Sequence, residues 1–188
     1  MAVDETTVSI KAPEIRYRIA DYLRVDGTYS LMGSGFNSID ENYGATESSK
    51  AYVNDKTTTT WVTGYEREFA YECDLIISQA PVKALRDVGK LGLTGSDAMF
   101  EYVRVDLFNP YSTDSGNTKF YARHFVVSAV PDSDTGEGAS EIVHSGTLKA
   151  VGDMTEGWFD TSDLSFTAGT TSTTDTTTST ETTETTES

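Results

Sequence analysis

The sequence predicts a mainly β fold: an antiparallel β-sandwich or barrel-like body with one short flanking α-helix and a long projecting loop. Three observations carry this reading. Several segments alternate apolar and polar residues with a period of two, as half-buried strands do. The stretches between them, such as NPYSTDSGN (109–117) and PDSDTGEGAS (131–140), are dense in Gly, Asp and Ser, which favour hairpin-like connections. Only one segment, SQAPVKALRDVGK, has helical start and stop signals.

Taken in order, Ile15, Tyr17 and Ile19 alternate with Arg16 and Arg18 and open the first strand after an N-terminal arm, 1–14. Residues 27–60 show weak periodicity over more than 30 positions, unusual for a loop inside a compact domain unless it is functional or orders against a partner. Within them AYVNDKTTTTWV suggests one arm of a protruding hairpin. A strand follows from Tyr65 to Ile77. The helix is expected at about 80–90: Pro81 suits a first turn, Ser78 or Gln79 the cap, Val82, Leu85 and Val88 form an apolar stripe, and Gly89 ends it. In EYVRVDLF, Val103, Val105 and Leu107 oppose Tyr102, Arg104 and Asp106. FYARHFVVSAV, from Phe120, is rich enough in aromatic and β-branched residues to be buried on both faces for part of its length. Segments around Leu148 and Phe166 close the body, which runs from 15 to 167. Residues 168–188 form a Thr-rich, acidic, low-complexity tail that cannot bury enough surface to offset its ordering entropy, so disorder is expected there.

Charge bounds the function. The 188 residues carry 14 Lys and Arg against 30 Asp and Glu, a formal net charge of -16. Phosphate contacts need cations, so such a chain repels duplex DNA rather than holding it. A single cysteine allows no internal disulfide. No basic start followed by an apolar run marks a signal peptide, and no apolar run suits a membrane helix, so the expectation is a soluble protein made in a cytoplasm.

Catalytic motifs are weak. Asp114-Ser115-Gly116 and Asp134-Thr135-Gly136 match the aspartic-protease triplet, but polar residues precede both and turn clusters contain such triplets anyway. Asp132, Asp134 and Gly136 resemble the start of a calcium loop, yet Val143 stands where its glutamate belongs. His124 and His144 have no ligand partners at zinc spacing, and Cys73 reads as a small buried hydrophobe. No nucleotide-binding or hydrolase motif is present, so neither enzyme activity nor a cofactor is expected.

What stands out is GYEREFAYECD, 64–74. Tyr65, Phe69, Tyr71 and Cys73 fall on one face of a strand, with Arg67 as its exception, and Glu66, Glu68, Glu72 and Asp74 on the other without a cation among them. Like charges on one strand face are destabilising, so the pattern implies compensation or use. A solvated sheet face is the simplest account.

The order of this strand, the helix APVKALRDVGKL, then GSDAMFEYVRVDLF, then KFYARHFVVSAVPDSDTGEGASEIVHSGTLKAVGDMTEGWFD resembles the major tail, or tail tube, proteins of long-tailed, siphovirus-like bacteriophages over about residues 12–167. The resemblance implies a virion protein made in the host bacterial cytoplasm and residing in the tail. It implies hexameric rings that self-assemble and stack into a hollow tube, through which double-stranded DNA passes without specific binding. Tape measure and tail terminator proteins become expected neighbours, and no membrane is involved. The long loop would reach the adjacent ring, the N-terminal arm and C-terminal segment would contact other subunits, and Glu66, Glu68, Glu72 and Asp74 become candidate lumen-facing residues. A non-enzymatic β-sandwich binding or capsid-decoration module with a Thr-rich tail is the alternative.

Overall fold

The computed structural model describes residues 13–111, 116 and 118–169. Of the N-terminal arm only Pro13 and Glu14 fall among these, and of the Thr-rich tail only Ala168 and Gly169. Eleven strands are present among the described residues. In chain order they are β1 (Ile19–Val25), β2 (Thr28–Leu31), β3 (Phe36–Asn42), β4 (Ala45–Lys50), β5 (Thr59–Tyr65), β6 (Glu68–Asp74), β7 (Met99–Pro110), β8 (Lys119–Thr135), β9 (Val143–Ala150), β10 (Thr155–Asp160) and β11 (Ser165–Ala168). One α-helix, α1 (Ala80–Leu91), lies between β6 and β7. No helix among the described residues is long and apolar enough to cross a membrane.

Nine strands form one antiparallel sheet in the order β2-β1-β7-β8-β9-β6-β3, with β10 pairing β8 and β11 pairing β10. β8 is the branch point. Its first residues, Lys119 to His124, pair with β10, and its later part, from Val127, pairs with β9. The fork yields two cores on opposite faces. Leu23, Tyr102, Phe125 and Leu148 face one side, where α1 adds Val82, Leu85 and Val88. Tyr22, Val103, Val105 and Ala122 face the other, where β10 folds Phe159 over them. Alternation on β1 and β7 therefore buries both faces.

The sheet curls strongly. β6 is three strand spacings from β7, about 14 Å in a flat sheet, yet the rings of Phe69 and Tyr102 are 4.6 Å apart. The β9–β6–β3 wing thus wraps over the first core as a half-barrel, and the β10–β11 ribbon curls the other way, bringing Phe159 within 4.4 Å of Tyr22. This agrees with the sandwich or barrel-like class read from the sequence.

Several boundaries differ from expectation. Residues 27–60 are not one loop. Tyr29, Met32 and Ile39 are buried and anchor β2, β3 and their connection within the body, and only the β4–β5 hairpin projects. β3 is an edge strand with a single fully buried side chain, Ile39, so it shows almost no hydrophobic period. Arg16–Arg18 form a 3₁₀ turn rather than strand, because Arg16 turns inward to Asp21 and leaves Tyr17 exposed. The expected 65–77 strand is split by a link at Glu66 and Arg67 and ends at Asp74. β8 continues through Thr135, into the stretch expected as a turn.

α1 runs two residues past Gly89. Gly92, in the left-handed conformation at φ 62°, ends it, with Leu93 N–H donating to Val88 O at 2.9 Å and Gly92 N–H to Gly89 O at 3.2 Å. Gly89 serves packing instead: a Cβ there would sit 3.0 Å from Cβ of Pro131. Gln79 occupies the N-cap position but makes no side-chain cap bond.

Candidate functional site

β6 sorts its side chains as its alternation requires: Phe69, Tyr71 and Cys73 are buried, and Glu68, Glu72 and Asp74 lie on the opposite, convex face of the half-barrel. Neither α1 nor the β10–β11 ribbon covers this face at β6. Glu66 is not part of the row. It belongs to the link before β6, where its N–H donates to Gly44 O at 2.9 Å.

The neighbouring strands explain how the charge is tolerated. Glu68 lies between Asn42 of β3, whose Nδ2 donates to Oε1 at 3.2 Å, and Lys149 of β9, whose Nζ is 3.9 Å from Oε2. Glu72 lies between Ser38 and Ser145, and Asp74 accepts from Asn37 Nδ2 at 3.0 Å. Asp40, paired with Ala70, adds a fourth carboxylate that the sequence reading missed. The compensating cation is thus on the next strand, where reading one strand cannot find it. The Lys149–Glu68 pair is exposed and contributes under about 1 kcal/mol, so four carboxylates against one lysine leave the β3–β6–β9 face strongly negative.

The opposite, concave face holds a buried charge network that the sequence did not reveal. Arg104 of β7 and Arg123 of β8 are direct cross-strand neighbours, a repulsive pairing. Curling brings Glu41 of β3 between them. Arg123 forks onto it with Nη1 to Oε1 at 2.6 Å and Nη2 to Oε2 at 3.0 Å, Arg104 Nη1 is 3.4 Å from Oε2, and Arg67 Nη1 is 3.3 Å from Oε1. Deeper still, Asp21 accepts from Tyr102 Oη and from Arg16 Nη2, each at 2.5 Å, with Arg104 Nε 3.4 Å away. Burial and then the Asp21 charge push the Tyr102 phenol far above its usual range. Asp106, beside this network, is also raised, because desolvation outweighs the attraction of Arg123 and Arg104.

The hairpin is a third feature. β4 and β5 pair only with each other, and Tyr52, Val53, Trp61 and Val62 on it are exposed. Its roots are pinched at Gly44, φ 56°, where a Cβ would lie 2.1 Å from Glu66 O. Arg67 lies between the root aromatics, 5.4 Å from the Tyr43 ring and 5.5 Å from Tyr65. A lone two-stranded hairpin is at best marginally stable in water.

Among the remaining candidate residues, His144, Asp134 and His124 have structural partners. His144 is buried, with Nδ1 2.7 Å from Asp134 Oδ1 and Nε2 3.2 Å from Tyr71 Oη. Asp134 also accepts from Arg86 Nε at 2.8 Å, and that bond, with the one to His144, holds its carboxyl below the usual range despite partial burial. It is thus committed within β8 and not presented as half of a carboxylate dyad. Asp114 and Ser115 of the other triplet lie outside the described residues. Among the described residues no group of three or more His, Cys, Asp or Glu could hold a metal. His124 Nε2 is 3.3 Å from Glu101, which also accepts from Arg24 and Tyr29. The Cys73 thiol is pushed up to about 11, first by burial and then by the charges of Asp74, Asp134 and Glu72, which makes it unreactive.

Neither a protein-family model nor a curated protein matches this chain. Solved structures do. A chain of the tail of an empty gene transfer agent particle, refined helically with C6 symmetry, superposes with a TM-score of 0.54 at 10% identity, over 83% of this chain and 100% of that one. A chain of the virion of the native gene transfer agent particle gives a TM-score of 0.54 at 8% identity, with the same coverage. At this identity the likeness is one of fold.

Proposed function

We propose that this chain is a structural, non-enzymatic subunit that self-assembles into hexameric rings, stacked as the tail tube of a phage-like particle, and that the convex β3–β6–β9 face lines the conduit for DNA. One observation carries the reading: the sheet face left uncovered by the chain's own elements is the one that gathers Asp40, Glu68, Glu72 and Asp74. An anionic wall repels anionic duplex DNA, so the genome slides without adhering. The fold likeness to chains of a tailed particle, one refined with six-fold symmetry, supports the same reading. The sequence resemblance extends it to a long-tailed phage, with tape measure and terminator proteins as neighbours, the hairpin reaching the adjacent ring, and Glu66 at the margin of the lumen.

The conduit is tested on assembled protein carrying Glu68→Lys, Glu72→Lys and Asp74→Lys. Tubes of the variant, formed with DNA present, retain nuclease-protected DNA, and unaltered tubes retain none. Equal retention by both would place the acidic face elsewhere than the lumen.

A further inference from the structure

The same body that carries an uncovered apolar tip also has an unfilled apolar cleft. It lies between β1 and β3, has a volume of about 840 Å³, and is lined by Tyr17, Ile19, Leu31, Phe36, Leu107 and Phe120, with Asp40 at its rim. Both flanking strands lack a neighbour here: β2 reaches only Tyr22 to Val25 of β1, and β3 ends the sheet. Three of their backbone acceptors, at Ile19, Asp21 and Ile39, are nevertheless occupied. Arg16 Nη1 donates to Ile19 O at 2.8 Å and Nη2 to Ile39 O at 3.3 Å, and Met32 N–H donates to Asp21 O at 2.7 Å. An added strand would have to displace these bonds, so the cleft is built to take side chains.

Charge identifies the occupant. Every arginine of the chain pairs with a carboxylate. Lys50 and Lys56, near the hairpin tip, have no carboxylate partner among the described residues; Lys50 lies over the Tyr52 ring, 5.1 Å from its centroid. Between them stand Tyr52, 60% exposed, and Val53, fully exposed. At the cleft, Asp40 likewise has no ion-pair partner among the described residues.

We infer that the cleft between β1 and β3 receives the hairpin tip of a second copy of this chain, with Tyr52 and Val53 filling it and Lys50 and Lys56 meeting Asp40. The inference rests on the tube reading for its choice of partner. A tip and a cleft on different parts of one chain make a head-to-tail contact, which closes into rings or propagates as filaments. A buried aromatic anchor within a polar rim is the usual composition of an energetically dominant contact.

The test mixes two variants that each add one cysteine, Val53→Cys and Tyr17→Cys, both at exposed positions, while the native Cys73 is buried. A disulfide-linked pair is expected only when both variants are present and oxidised; Val53→Cys mixed with Val130→Cys, exposed on the sheet, is the control and gives none. Circular dichroism verifies folding of each variant. In parallel, Lys50→Glu with Lys56→Glu raises the concentration needed for assembly on the order of tenfold, and adding Asp40→Lys to that variant restores it. Linked pairs and tubes together uphold both contact and tube. Tubes without the linked pair, and indifferent to the charge changes, overturn the contact and leave the tube reading standing. Linked pairs that never form tubes uphold the contact and overturn the tube.

Discussion

Glu41 is where the body's internal charge converges. Arg67, Arg104 and Arg123 all reach its carboxylate, and removing it leaves cations facing one another across β7 and β8. Breaking a buried pair by deleting one partner costs about 3–5 kcal/mol, because the abandoned charge stays buried. Glu41→Gln is therefore expected to lower unfolding stability by about that much, while Glu72→Gln, on the solvated face, changes it by less than about 0.5 kcal/mol; urea titration of both checks the contrast. Asp134 gives a pH dependence. Its folded carboxyl is held low, chiefly by Arg86, so the stability it contributes is present above the unfolded carboxylate range and is lost as pH falls through its folded value. The gap in urea midpoint between the parent and Asp134→Asn is expected to be wide at pH 7 and to close on acidification; a gap that stays constant to pH 3 would contradict the assignment.

Elements differ in how openly the sequence declares them. β7 and β8 are long and dense in β-branched and aromatic residues, and β6 alternates strictly, so all three are legible locally. β3 is not, since an edge strand buries one side chain, and the weak pattern it leaves merges with the hairpin into an apparent long loop. The acidic row of β6 is legible for the same local reason. Its relief by Lys149 and Asn42, and the whole Glu41 network, depend on register between distant strands, which no spacing along the chain encodes. The hairpin makes its own prediction. Gly44→Ala drives a Cβ into the Glu66 carbonyl at a backbone conformation that favours glycine. The expected outcome is loss of amide-exchange protection in β4 and β5, with protection of β7 and β8 kept. Equal loss throughout would mean that the hairpin is integral to the body rather than an appendage.

At the scale of the molecule, the sheet forks at β8 and curls to opposite sides, so each wing covers one core and the convex face of the larger wing is left to water. A protein that folded only for itself would have little reason to combine an uncovered acidic face, a coreless hairpin and an apolar cleft. The proposed assembly would give each a use: the face would bound a conduit, the hairpin would cross to another copy, and the cleft would receive it. The assembly proposed for this chain is a hollow six-fold tube. It would be visible by negative-stain electron microscopy of the purified protein, concentrated stepwise at near-physiological salt and with an initiating tail-end complex added in a parallel series. Stacked rings or hollow tubes are expected, with end-on averages that show six subunits around a central channel. Discrete monomers at every concentration, with and without the initiator, would contradict it and favour a capsid-decoration module.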